Sequence, residues 1–480
     1  MDTVKIMRGW AEKVDLINTL KLSDGFSVWW MMDQWLHKSR GYYSTFDDIM
    51  NHIERKPSKK IYLAKYFFRL RFWLRRWACL NFPVIKDKKI LFINSIKWDG
   101  TKDLFFNPVM RYFDNSCLVD YPTDYATYWS IKRIFEKRKL TNHLILEMFY
   151  DSSYKNEVTM IQQRYNKMIN DESFLKNSKD IWPMLKPQMD FYIYHRMESH
   201  IRNYMALKKM VSIEKPKALI FGGEGGLYGN ICSYIGKLYN TPSIGIMHGS
   251  INYDAKLVHY NDGCPKSTKI CVWGSHFKDW MIKHSGYDDT HIDVTGNIRM
   301  DSFKKYDKNK VCSEFGLDSK KPIIIVLDQN EIDLRDAAKK CNDLYPQTIV
   351  ALHPARMDKK YYNIKTVIST EDYLKVLSAC DLVVSFGSTG ALDSMFYNKP
   401  IMLVPVKDDY WDARVLTDYY SEGIGIVCEE NDDYFEKIEL ALTDPLKDKR
   451  EAYIESHLYK IDGKATLRFA NIIKDAISKE

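Results

Sequence analysis

From residue 88 onward, short apolar runs alternate with longer segments of helical period. KKILFINS (88–95) is an apolar run bounded by charge, and CLVDYP follows after the amphipathic stretch DLFFNPVMRYF. Runs this short, rich in Ile, Leu and Val, predict buried strands. Residues 124–210 carry Lys, Tyr and Met at mixed spacing and predict helix. KALIFGG (217–223), SIGIMHG (243–249), KICVWG (269–274) and HIDVTG (291–296) then continue the strand series, with YGNICSYIGKLY as an intervening helix. The polar stretch KKYDKNKVCSEFGLDSKK interrupts the pattern and places a linker near residues 304–319. A second series follows: PIIIVLDQ (322–329), TIVALHP (348–354), TVIS (366–369), DLVVSFG (381–387) and PIMLVPV (400–406). Strands alternating with helices predict an α/β fold with a parallel, doubly wound sheet in each half. A length of 480 residues agrees with two or three domains. The expected division is 1–303, with a helical insertion at 124–210, then 320–455, then a terminal helix over 456–480 that has no strand behind it.

One segment stands apart from both rhythms. IYLAKYFFRLRFWLRRWACL (61–80) reads as a helix in which Tyr62, Leu63, Tyr66, Phe67, Leu70, Trp73, Leu74 and Trp77 share an arc. Lys65, Arg69, Arg71, Arg75 and Arg76 lie away from it. A basic amphipathic helix rich in Trp and Phe suits an anionic bilayer surface. The competing reading packs it on the body of the protein with its charges solvated. Twelve basic residues between Arg55 and Lys89 face only Asp87, a surplus of +11 within a whole-chain charge of +8. The rest of the chain is therefore slightly acidic, which argues against a nucleic-acid partner. No run of eighteen apolar residues and no apolar leader core is present, so the expectation is a cytoplasmic protein, peripheral on the inner membrane face. Nine scattered cysteines without a C-x-x-C pair favour reduced thiols over a disulfide framework or a zinc cluster.

In doubly wound sheets ligands bind beyond the carboxyl ends of the strands, and the chemically informative residues cluster there. GGEGGLYG (222–229) joins a strand to a helix; its one charge, Glu224, can act as a base, or the segment can be a tight turn with a solvated Glu. His248 ends the next strand and has an unperturbed pKa suited to taking a hydroxyl proton, although a hydrogen-bonded structural His reads the same. His353 and Arg356, in HPAR, leave a strand of the second half where cationic donors can stabilise a departing phosphate. Ser388, Thr389 and Gly390 open the following loop-to-helix junction with hydroxyls and amides, and Asp393 is placed to reach ribose hydroxyls. No D-x-D occurs, so no carboxylate pair is set to hold a divalent ion; the expected site has no metal and no cofactor.

KALIFGGEGGLYG, SIGIMHG, KICVWG, VTGNIRMD, ALHPAR and DLVVSFGSTGALDSMFYNKPIMLV together resemble surface-polysaccharide glycosyltransferases of the GT-B class. The resemblance is closest to polysialyltransferase-like and capsule-assembly enzymes, and more distant to the glycerophosphate transferases of teichoic acid synthesis. It covers residues 215–410. It implies two Rossmann-like domains facing a cleft, a nucleotide-sugar donor as substrate, and a glycan or lipid-linked acceptor. By the first comparison the base is Glu224, with His353–Pro354 and Ser388–Thr389 on the donor phosphate; by the second the base is His248. Arg299, within VTGNIRMD, joins the donor-binding set. The runner-up is an enzyme similar to the UDP-N-acetylglucosamine 2-epimerases, whose opening Gly-Thr-Arg-Pro loop and paired glutamates this chain lacks. A non-catalytic, membrane-associated sugar-nucleotide scaffold is the third reading.

Overall fold

The computed structural model describes residues 3–32, 90–94, 106–121, 143–223, 227–247, 264–329, 333–353, 360–361, 363–388, 390–405, 414 and 417–478. The basic segment 61–80 lies outside them. The first sheet has seven parallel strands: β1 Ile90–Asn94, β2 Ser116–Asp120, β3 His143–Ile145, β4 Ala218–Gly222, β5 Ser243–Ile246, β6 Lys269–Val272 and β7 Ile292–Val294. Their order is β3-β2-β1-β4-β5-β6-β7. The strands are mostly apolar because both faces are covered, and alternate residues enter different cores. Leu91, Ile93, Cys117, Val119, Leu219 and Phe221 point to one side. Ile90, Phe92, Leu118, Ala218 and Ile220 point to the other.

On the first side lie α1 (Thr3–Lys13), α3 (Tyr154–Ile169), α4 (Trp182–Phe191), α5 (Met197–Glu214) and α6 (Leu227–Leu238), while α2 (Phe106–Met110) lies on the other. Residues 3–32 are part of this core. Trp10 Nε1 donates to Ser178 Oγ at 3.1 Å, Phe26 stacks on Tyr204 at 4.9 Å, and Tyr204 donates to Asp24 at 2.7 Å. The last helix of the chain, Ala465–Ser478, returns to cover the other side with Phe469, Ala470 and Ile473. The helical expectation for 124–210 holds across α3 to α5 and misses β3, a three-residue edge strand too short to show a period.

After α7 (Ser275–His284), a six-stranded sheet is built from β8 Ile324–Leu327, β9 Thr348–Ala351, β10 Lys365–Val367, β11 Leu382–Ser385, β12 Ile401–Leu403 and β13 Ile426–Val427. The order is β10-β9-β8-β11-β12-β13. Its strands also split by parity: Ile324, Val326, Val350, Leu382 and Val384 meet one helical layer, and Ile323, Ile325, Leu327, Ile349 and Val383 meet the other. Those layers are local. They comprise α8 (Lys308–Phe315) and α10 (Thr370–Ala379) on one face, α9 (Arg335–Leu344) and α12 (Tyr434–Leu442) on the other. Three open on side-chain caps: Asp307 for α8, Ser369 for α10 and Asp433 for α12, each oxygen accepting an otherwise orphaned amide. β13, two residues long, was not legible in the apolar pattern.

Both sheets have the strand order of a doubly wound nucleotide-binding unit, and two such Rossmann-like units in one chain are the GT-B layout. A shared core joins them. Trp273, Phe277, Trp280 and Met281 of the first half pack with Leu392, Met395, Leu403 and Tyr419 of the second. Helix α11 (Gly390–Phe396) and helix α13 (Lys447–Leu458) contribute to this seam, and the last helix, α14 (Ala465–Ser478), crosses back beyond it. Among the described residues no helix is long and apolar enough to cross a membrane.

Candidate functional site

The strand order reverses between β8 and β11 in the second sheet, and a crevice opens at such a switch point. The loop leaving β11 there is held by its own sequence. Ser385 is fully buried, and its Oγ accepts from the amides of Gly387 and Ser388, both at 3.1 Å. The Ser388 hydroxyl lies 3.3 Å from that same Oγ. Tyr420 donates to the Phe386 carbonyl at 2.8 Å and Tyr419 to the Ser388 carbonyl at 3.3 Å. Gly387 has φ +124°, and a Cβ there would come 2.8 Å from Thr417 Oγ1, so both conformation and space require glycine. Gly390 begins α11, and its carbonyl accepts from Tyr373 at 3.3 Å. Ser388 is half-buried at the mouth of this loop. Thr389 lies outside the described residues.

His353 ends the neighbouring strand run and is half-buried. β9 and β11 flank β8, so the two loops start about 10 Å apart, two interstrand spacings. Arg356 lies outside the described residues. Between the two loops, just after β8, stands a carboxylate that belongs to none of the motifs above. Asp328 follows β8, is 5% exposed, and accepts from the Tyr361 hydroxyl at 2.5 Å. Burial first, and then this bond, push the Tyr361 phenol well above its ordinary range. The signal was present in PIIIVLDQ, an acidic residue ending a wholly apolar strand.

Asp393 and Arg299 meet each other. Arg299 Nη2 donates to Asp393 Oδ2 at 2.6 Å across the seam, from the turn Ile298–Ser302 of the first half to α11 of the second. Tyr373 donates to the same oxygen at 3.2 Å. Burial raises the Asp393 pKa, and the Arg299 charge opposes it. The pair thus pins the two halves together at α11, the helix that follows the Ser388 loop.

In the first sheet the switch point lies between β1 and β4. β4 runs into Gly223, whose φ of +76° turns the chain and whose amide donates to Ile246 at 2.8 Å. Gly222 pairs with Ile246, so the strands leading to Glu224 and His248 end at one level. The amide of Met247 donates to Cys271 at 3.0 Å, and Trp273 Nε1 donates to the Met247 carbonyl at 2.9 Å. Glu224 and His248 themselves lie outside the described residues. Elsewhere in this half, Tyr121, just after β2, meets Tyr228 of α6 edge to face at 4.3 Å, and Arg202 lies 5.3 Å from the Tyr150 ring centre.

No family model and no curated protein matches the chain. Solved structures do. The UDP-GlcNAc 2-epimerase from Neisseria meningitidis bound to UDP-GlcNAc is 12% identical, with 82% of this chain and 100% of that one covered and a TM-score of 0.48. MnaA of S. aureus, in a co-structure with UDP, is 13% identical over 82% and 97%, with a TM-score of 0.49. The wall teichoic acid polymerase TagF with CDPG is 13% identical over 88% and 97%, with a TM-score of 0.47. Identity this low concerns the course of the chain and not its activity.

Proposed function

We propose that the protein is a glycosyltransferase that moves a sugar from a nucleotide-activated donor to a cell-surface glycan or lipid-linked acceptor. The observation that carries this reading is the pair of switch points, each ending in a glycine-containing loop that joins a strand to a helix. In the second half, the Ser388 hydroxyl and the amides of its loop, with His353 about two strands away, suit a donor diphosphate or phosphate. Arg356, Thr389, Gly390, Asp393 and Arg299 belong to the same donor-binding set. In the first half, Glu224 or His248 takes the proton of the attacking hydroxyl. Positive and hydroxyl donors then stabilise charge as it builds on the leaving nucleotide, so the reaction runs without a metal. The finer resemblance, to polysialyltransferase-like and capsule enzymes, belongs to this proposal, as does reversible attachment to the inner membrane face through residues 61–80.

A thermal-shift panel of UDP-, GDP-, CDP- and CMP-sugars tests the donor. Ligand at a hundred times its Kd stabilises the native state by about 2.7 kcal/mol. One nucleotide class should raise the midpoint, and His353→Ala and Ser388→Ala should abolish the rise without unfolding the protein. Equal binding by both variants would place the phosphate elsewhere. Turnover of UDP-GlcNAc with no acceptor present would favour the epimerase reading instead. Sedimentation with anionic liposomes at low salt tests the membrane arm, and failure to sediment would remove it.

A further inference from the structure

The seam between the two halves carries a second cluster of chemistry, made of residues that belong to neither switch-point loop. We propose that His276, Asp418 and His457 form a binding site for a borderline divalent transition ion of the zinc class, which locks the seam. His276 lies in the first turn of α7, His457 in the last turn of α13, and Asp418 just before Tyr419. One donor atom from each lies within 4.8 Å of the other two. His457 Nε2 is 3.1 Å from Asp418 Oδ2, and His276 Nε2 is 3.4 Å from the same oxygen. Ligands about 2.0–2.2 Å from a tetrahedral ion stand roughly 3.3–3.5 Å apart, so small shifts convert this trio into a coordination sphere. Two imidazoles and one carboxylate are a donor set such an ion accepts, with water in the remaining position.

The surroundings orient the ligands as metal sites require. Tyr453 donates to Asp418 Oδ1 at 2.8 Å, which leaves Oδ2 to face the two histidines. His457 Nδ1 lies 3.2 Å from the Tyr453 carbonyl and 2.8 Å from Ser456 Oγ, so the ring is anchored on the side away from Asp418. Its ring also stacks on Tyr453 at 3.6 Å and on His276 at 4.0 Å. Glycine brings the two helices this close: a Cβ on Gly274 would come 2.1 Å from the Ser456 carbonyl oxygen. The His457 side chain is 3% exposed, Asp418 18% and His276 30%, so the site is buried at His457 and reaches solvent at His276.

The position gives the ion a consequence. Asp418 is followed by Tyr419 and Tyr420, the two residues whose hydroxyls hold the Ser388 loop. An ion that fixes Asp418 between α7 and α13 fixes that loop and the angle between the sheets together. This role is structural, and the ion takes no part in the chemistry of the proposed transfer.

The test uses the full chain, stripped with chelator, kept reduced, and titrated with ZnCl2 and separately with CoCl2. Expected are a saturable stoichiometry of one, a raised melting temperature, and cobalt bands in the visible range without the near-ultraviolet charge transfer of a thiolate. His276→Gln, a change at a partly open position, should abolish all three signals while leaving the metal-free melting temperature in place. Tyr453→Phe should weaken zinc by about tenfold to a hundredfold. Absence of saturable zinc binding, zinc binding by His276→Gln equal to wild type, or a thiolate spectrum would overturn the site. None of these readouts depends on activity or on nucleotide binding, so the outcome is separable from that of the donor assay.

Discussion

The two sheets share one strand order but are completed by different parts of the chain. In the second sheet, β8, β9 and β11 are covered by helices α8, α9, α10 and α12, all encoded between residues 308 and 442, while β12 also turns Ile401 and Leu403 into the seam. The first sheet borrows from both extremes: residues 3–32 enter the core on one side and α14 closes the other. A layer supplied from nearly four hundred residues away closes late, because long-range closure costs entropy before its contacts form. Most of the second half's core can therefore assemble locally, whereas the first half's core draws on two distant segments.

The strongest way to break that contrast is to remove α14. Deleting residues 463–480 should expose the face of the first sheet held by Phe92, Leu118 and Ile220, with loss of cooperative unfolding there while the second sheet stays protected from amide exchange. Phe469→Ala, a single change on the same face, should cost about 3–5 kcal/mol in a urea titration. Equal exchange in both sheets after the deletion would mean the halves stand or fall together.

The next effect concerns the pin between the halves. Arg299→Met leaves Asp393 buried without its cation and should cost about 3–5 kcal/mol near neutral pH. Burial already raises the Asp393 pKa. A carboxyl whose folded pKa is raised favours the folded state most when protonated, below its ordinary range, and less as pH rises through the folded value. The penalty of Arg299→Met should therefore shrink when the urea titration is repeated at about pH 4. A penalty unchanged with pH would show that Asp393 is not the group left behind.

A smaller effect separates loop from pin. Gly387→Ala meets both a positive φ and Thr417, and should cost about 1–3 kcal/mol while weakening nucleotide binding more than it lowers the melting point. The smallest is an acid-limb effect in the first half. The Lys209 bond, with help from Ser153, holds Asp151 down to about 2 from its usual 3.8. Its contribution is present above the ordinary carboxylate range and fades as pH falls through 3.8 toward 2. Asp151→Asn should lower the melting point slightly at neutral pH and converge with wild type near the acid end; a constant difference across pH would assign its effect to packing.

Much of this architecture was readable from residue order alone. KALIFGG and DLVVSFG announce strands because an apolar run ending in glycine between helical stretches has few other folds available, and the two loops they feed lie where a doubly wound sheet opens its crevice. The sequence reading also singled out Ser388 and Gly390. It did not find Ser385, whose hydroxyl shapes the Ser388 loop, because a serine ending a strand carries no signal until its amide partners are in place. β3 and β13 escaped for want of length.

Periodicity and turn chemistry, both local properties, thus determined the class of the fold, the strand runs and the loops that end them. Only the tertiary structure decided partnership. Arg299 and Asp393 are 94 positions apart, and residue order does not show that they meet in a seam that removes water from both. The N-terminal segment and α14 gained their places on the first sheet in the same way. His276 and His457, unremarkable in the sequence, became neighbours because Gly274 lets two helices approach closer than any side chain would allow. Such pairings depend on burial and distance, which residue order alone does not specify.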